Sequence, residues 1–159
     1  MSKEIPLTNG KGIAIVDDND YEWLSQWKWR FHNGGYAIRT DCGTGKPITV
    51  LMHRALLNAG KGEMVDHENR NKLDNRRSNL RLATKQENNC NCPPRSNSTS
   101  GFKGVSWHAR DRRWHAKIQI DNRTVHLGNF TDPIDAARAY DTSAREFFGE
   151  FAYLNFPDD

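Results

Sequence analysis

The chain has 159 residues, 36% hydrophobic and 27% charged, and a mean hydropathy of -0.87, which is too little apolar material for one large core and favours two small modules. No run approaches the roughly 20 apolar residues of a membrane helix, and residues 1–10 lack an apolar secretory core, so a soluble, cytoplasmic protein without a membrane partner is expected. The three cysteines, Cys42, Cys90 and Cys92, form no disulfide framework and suit a reducing compartment; without a clear second pair of ligands, Cys90 and Cys92 give no reason to expect structural zinc.

The net charge is only +3, but its placement is uneven: residues 1–50 carry net 0, 51–100 net +4, 101–126 net +4 and 127–159 net -5. Two basic stretches followed by an acidic one suggest surfaces turned toward a polyanion, with an acidic element behind them. Composition alone leaves ordinary solvated charge open.

In chain order, Gly12–Val16 is an apolar, partly β-branched run. Asp17–Asp20 breaks it, and Tyr21–Trp27 predicts a short helix. Trp29–Phe31 and Tyr36–Arg39 read as strands around His32-Asn-Gly-Gly35, a hairpin turn whose residues tolerate positive φ. Residues 41–46 read as a second turn, and Ile48–Met52 as a third strand running into His53–Leu57. Trp23 and Trp27, four apart on one helix face, are expected to join Trp29 in the core.

Residues 93–100 are polar and proline-punctuated, which predicts a linker. Beyond them Phe102–His108, Arg113–Ile120 and Arg123–Leu127 read as antiparallel strands, the last two joined by Asp121-Asn122. A helix follows, with Thr131 as N-cap, Asp132 and Pro133 in its first turn, and Ile134, Ala137, Tyr140, Ala144 and Phe147/Phe148 at helical spacing. Gly149 ends it, and Asp135, Asp141 and Glu146 are expected to face water.

The densest chemical signal is Val65-Asp-His67, then Asp74-Asn-Arg76, Ser78-Asn-Leu-Arg-Leu-Ala-Thr84 and Gln86-Glu-Asn-Asn89, preceded by Met52-His-Arg54. Asn79 and Asn88 follow His67 by 12 and 21 residues. This pattern resembles the HNH nucleases of phages and homing elements. The resemblance implies an α+β fold whose first module is a ββα-metal (His-Me finger) unit: one strand ends at Asp66-His67, a second holds Asn79, and a helix carries Asn88.

Phosphodiester hydrolysis needs a base to activate water and a cation to offset charge on the phosphate. His67 is the expected general base, since its ordinary pKa lies near neutrality. Asp66 and Asn88 are the expected metal ligands, oxygen donors suited to Mg²⁺ with Mn²⁺ as a substitute. Consecutive strand residues point to opposite faces, so a local bend is expected to bring Asp66 to the metal beside His67. Asn79 is expected to bond the loop and orient the His67 ring. Arg81 is a candidate phosphate or leaving-group contact, and Arg76 and Arg77 are candidate DNA contacts, with a solvated face as the competing reading. His53 stands open between support of the site and a merely satisfied histidine.

Gly101-Phe-Lys-Gly-Val105, Trp114-His-Ala-Lys-Ile118, Leu127-Gly-Asn-Phe130, Ala136-Ala-Arg-Ala-Tyr-Asp141 and Leu154-Asn-Phe156 resemble the plant ethylene-response-factor (Apetala-type) domain. That resemblance implies a three-stranded antiparallel sheet packed on one helix and laid in the major groove. The positions that match its reading residues are Lys103, Ser106, His108, Arg110, Lys117, Gln119 and His126; Arg112 and Arg123 are further DNA candidates. Lys103, Ser106, His108 and His126 depart from the plant pattern, so its target does not carry over.

The sequence therefore predicts a nuclease module over 1–92, its catalytic core within about 50–92, a linker over 93–100 and a DNA-binding module over 101–157. The expected activity is metal-dependent endonuclease cleavage of double-stranded DNA by a monomer, with no small-molecule substrate. A DNA-binding regulator with a vestigial nuclease scaffold and an RNA-directed protein are the competing readings.

Overall fold

The computed structural model describes residues 1–43 and 45–158. The chain divides into two units, Met1–Lys85 and Gln86–Asp159. Residues 86–92, expected with the nuclease module, thus gather with the second unit. Helix α3 (Lys85–Cys90) explains why: the Lys103 ammonium donates to the carbonyls of Cys90 and Cys92, both at 2.6 Å, and of Asn89 at 3.3 Å. The Tyr153 N–H adds a bond to the Cys90 carbonyl at 3.0 Å.

The first unit begins with an antiparallel pair, β1 (Ser2–Pro6) and β2 (Ile13–Asp17). Strand β1 has no clear sequence signature, because only Ile5 of its five residues is buried. Helix α1 (Asp18–Leu24) starts earlier than expected and ends before Trp27. Asp18 and Asp20 lie in its first turn, where carboxylates complement the helix dipole. Trp23 and Trp27 therefore do not share a helical face. Trp29 is buried, whereas Trp23 is 38% exposed and meets Trp27 only edge to face at 5.4 Å.

Strands β3 (Arg30–Phe31), β4 (Ala37–Asp41) and β5 (Ile48–Leu51) form an antiparallel sheet in that order. The turn between β3 and β4 is closed by His32 N–H to Tyr36 O at 2.9 Å and Gly35 N–H to His32 O at 2.8 Å. The turn expected over 41–46 includes Thr44, which lies outside the described residues. Helix α2 (Met52–Leu56) follows. A last hairpin, β6 (Met64–His67) with β7 (Leu80–Ala83), encloses a long loop and the 3₁₀ turn Arg77–Asn79. Ile5, Val16, Leu24, Trp29, Met52 and Leu80 are among the buried side chains that make these pieces one core.

In the second unit β8 (Val105–His108), β9 (Arg113–Ile120) and β10 (Arg123–Phe130) form a three-stranded antiparallel sheet with β9 central. Helix α4 (Pro133–Phe148) packs its small residues Ala136, Ala137 and Ala144 on it. Close approach is also built into Gly104: at its φ of +77° an added Cβ would lie 2.0 Å from the Tyr140 ring and 2.7 Å from the Lys117 carbonyl. The N-cap is Asp132 rather than Thr131, its carboxylate accepting from Ile134 N–H at 2.8 Å. Proline at the next position needs no such partner.

Asp141 does not face water; it is 2% exposed. Its carboxylate accepts from Asn155 N–H and the Asn155 side chain, both at 2.9 Å, and from Phe156 N–H at 2.8 Å. The Asn155 side chain in turn bonds the backbone of Lys103. Helix, tail and sheet entry are thereby fastened at one carboxylate. Asp141→Ala is expected to strand these donors and cost about 2–4 kcal/mol, read as a lower urea midpoint for the second unit, while exposed Ser106→Ala leaves it unchanged.

Candidate active site

Asp66 and His67 close β6 and are both buried, at 5% and 4% exposure. The expected bend is absent: β6 pairs with β7 in unbroken register, Asp66 opposite Arg81 and His67 opposite Leu80. Both faces of the strand end are covered, so consecutive residues find different surroundings without a kink. Asp66 is met by Arg81, whose Nε and Nη2 donate to Oδ2 at 3.0 and 2.9 Å. This cross-strand pair is largely buried on both sides.

His67 faces a ring cluster. The His53 ring lies 5.0 Å from it, edge on, and Tyr36 lies 4.9 Å from His53 and 6.1 Å from His67. Burial holds the His67 pKa below the ordinary histidine value, while the side chain of Asn75 and the charges of Asp66 and Asp74 pull the other way. His67 is thus a neutral imidazole near pH 7, the form that accepts a proton. His53, delivered by α2, is pushed down to about 3, by burial first and by His67 second. Its buried Nδ1 has no hydrogen-bond partner among the described residues.

The loop after His67 is fixed by buried polar groups. The Asn79 side chain accepts from Asn69 N–H at 2.9 Å and donates to Asp74 O at 2.7 Å, and the Asn79 carbonyl accepts from Glu68 N–H at 3.0 Å. Asn79 therefore bonds the loop that leaves His67. The side chain beside the ring is Asn75, fully buried and pinned by backbone bonds between residues 73–75 and Ile15 of β2. In the sequence, Asn75 carries no signal beyond its place between Asp74 and Arg76.

Arg76 and Arg77 have internal partners. Arg76 donates twice to the buried Asp74, at 2.8 and 2.6 Å, and holds that carboxyl below the ordinary range against burial. Arg77 makes a forked pair with Asp20, both bonds at 2.8 Å, while its N–H meets Asp17. Arg77 ties the loop to β2 and α1, and Arg76 braces it from within.

Asn88 lies on α3 in the second unit, half-buried, and its carbonyl accepts from Cys92 Sγ at 3.4 Å. Of the other expected DNA-reading residues, Ser106, Arg110, Arg112, Lys117, Gln119, Arg123 and His126 are exposed. Lys103 is the exception, its ammonium engaged with carbonyls at the end of α3. His108 lies beside Asp111, 3.0 Å from its carboxylate.

A family model described as HNH endonuclease matches residues 59–90, the span from the approach to β6 through α3. An uncharacterized HNH endonuclease of Acanthamoeba polyphaga mimivirus is 34% identical over 156 residues, covering 94% of this chain and 78% of that protein. Protein 3.8 of Escherichia phage T7 is 32% identical over 92 residues, 58% of this chain and 75% of its own length. APETALA2-like protein 2 of Oryza sativa is 43% identical over 63 residues, 40% of this chain but only 14% of the plant protein.

The depressed histidine pKa values make stability acid-sensitive. Folded His53 titrates near 3 and unfolded histidine near 6.5, so between those values the unfolded chain binds the extra proton. Its contribution is complete above the unfolded value and is lost as pH falls toward the folded one, by up to about 1.4 kcal/mol per pH unit. Urea midpoints of the first unit are expected to fall between about pH 7 and pH 5, and His53→Gln to flatten that fall.

Proposed function

We propose, from the premise that this chain belongs to the HNH endonuclease family, that it is a divalent-metal-dependent endonuclease hydrolysing phosphodiester bonds in double-stranded DNA. The observation that carries this reading is His67, buried so that its pKa is held below the ordinary histidine value, next to the buried carboxylate of Asp66. A neutral imidazole accepts the proton of the attacking water as the new P–O bond forms and the P–O bond to the 3′ sugar oxygen breaks, the departing oxygen taking a proton from solvent water. The pinned loop fixes the ring that receives it, because Asn79 and Asn75 leave residues 68–76 few other arrangements. Arg81, beside Asp66, offers a cation close to the developing phosphate charge.

The Asp66 carboxylate is an oxygen donor of the kind a hard cation takes, and the role of the Asn88 amide as a further ligand rests on the family resemblance alone. When bound, Mg²⁺, or Mn²⁺ in its place, supplies charge compensation at the phosphate and leaving oxygen. Asp66 is then a residue with two duties, ion ligand and partner of Arg81.

The second unit is read as the targeting module. Its open sheet face carries exposed Lys117, Gln119 and His126, groups that reach base edges and phosphates in a major groove. Likeness to plant APETALA2-like proteins over 63 residues supports the same use. Joining the two modules in one chain raises the local concentration of the nuclease at its site.

Duplex DNA incubated with the full chain and Mg²⁺ or Mn²⁺ is expected to be cut, and His67→Ala to slow cutting by at least about 100-fold. Intact DNA with the native chain, together with retained DNA binding, would favour the non-catalytic regulator instead. Asn88→Ala is expected to raise the metal concentration needed for half-maximal rate and to leave DNA binding unchanged. Equal loss of binding would mark Asn88 as structural.

A further inference from the structure

On the second unit's sheet, side chains alternate between the helix and the open face. Trp114, Ala116, Ile118 and Ile120 of β9 pack in the clusters under α4, so Arg113, His115, Lys117 and Gln119 take the other face. His115 is opposite Ser106 on β8, and His108 opposite Arg113. The turn between the strands adds Asp111. The result is a set of three ligand-type side chains, His108, Asp111 and His115, whose donor atoms all lie within 4.8 Å of one another.

We propose that His108, Asp111 and His115 form a binding site for a borderline divalent ion of the Zn²⁺ type on the open face of this sheet. Two imidazoles and one carboxylate make a donor set that such ions prefer, with a fourth position left to a ligand from outside the chain. The spacing supports it. Asp111 Oδ2 is 3.0 Å from His108 Nδ1 and 3.0 Å from His115 Nε2, close to the roughly 3.3 Å edge of a tetrahedron with 2.0–2.1 Å bonds.

Hydrogen bonding leaves the cluster unfinished without an ion. His115 Nε2 bonds Asp111, but His108 Nδ1, although 3.0 Å from the same oxygen, is buried and has no hydrogen-bond partner among the described residues. The His108 and His115 rings are stacked at 4.3 Å and 12°, both edges meeting one carboxylate oxygen. Rotation of side chains anchored on paired strands and their turn converts that arrangement into three ligands around one centre. The site is separate in residues and chemistry from the Asp66 carboxylate, and it withdraws His108 from any role in reading bases.

The test is zinc binding by the full chain, stripped with chelator, followed by calorimetry and by the visible absorption of Co²⁺ as a stand-in. Asp66→Asn silences the nuclease carboxylate in every arm. In that background one equivalent of Zn²⁺ is expected to bind. Asp111→Asn and His108→Ala, both at surface positions, are each expected to weaken it at least about tenfold with an unchanged circular dichroism spectrum. No zinc binding by Asp66→Asn, or the same affinity after either cluster substitution, would overturn the proposal.

Discussion

The first unit turns on the loop between β6 and β7, which must bury polar backbone beside the buried His67. Unpaired, those groups would each cost on the order of 1–3 kcal/mol. Asn79 satisfies the loop from inside by bonding residues 69 and 74, and Ile15 of β2 satisfies it from outside by bonding residues 73 and 75. Asp74, 2% exposed, holds Arg76 and Asn69. With both ends of the loop so constrained, the ring at its start has a fixed environment, and burial keeps it neutral.

The same constraint governs the arginines. Arg76, Arg77 and Arg81 raise the positive count of the middle of the chain, yet each guanidinium has a carboxylate partner within the unit. Much of the apparent basic stretch is therefore structural charge, spent on joining loop, strand and helix. In the second unit the exposed Lys117, Arg110, Arg112 and Arg123 keep their charge at the surface. A segment's net charge does not distinguish these two uses; pairing does.

Much of this was legible in the chain. Alternation along Arg113–Ile120, the Asp121-Asn122 turn and the apolar spacing after Pro133 led to the observed sheet and helix, and the Asp-His motif led to the end of β6. What escaped had physical reasons. Strand β1 is polar and has one buried residue. Asp141 looks like a solvent-facing helix charge because its partners, Asn155 and Phe156, lie 14 and 15 residues away. Lys103 looks like a DNA contact because the carbonyls it caps, those of Asn89, Cys90 and Cys92, belong to the end of α3 and the turn after it, which the motif assigns to the other module. Trp23 has the spacing for burial, but α1 turns Asp20 and Leu24 inward and leaves Trp23 exposed.

Under the proposed nuclease function, the buried polar frame of the β6–β7 loop holds His67 for chemistry. The most direct measurement is the single-turnover cleavage rate of Asn79→Ala on duplex DNA at saturating protein and metal. The rate is expected to fall by about 10- to 100-fold with DNA affinity unchanged. A rate equal to that of the native chain, in a folded variant, would contradict it.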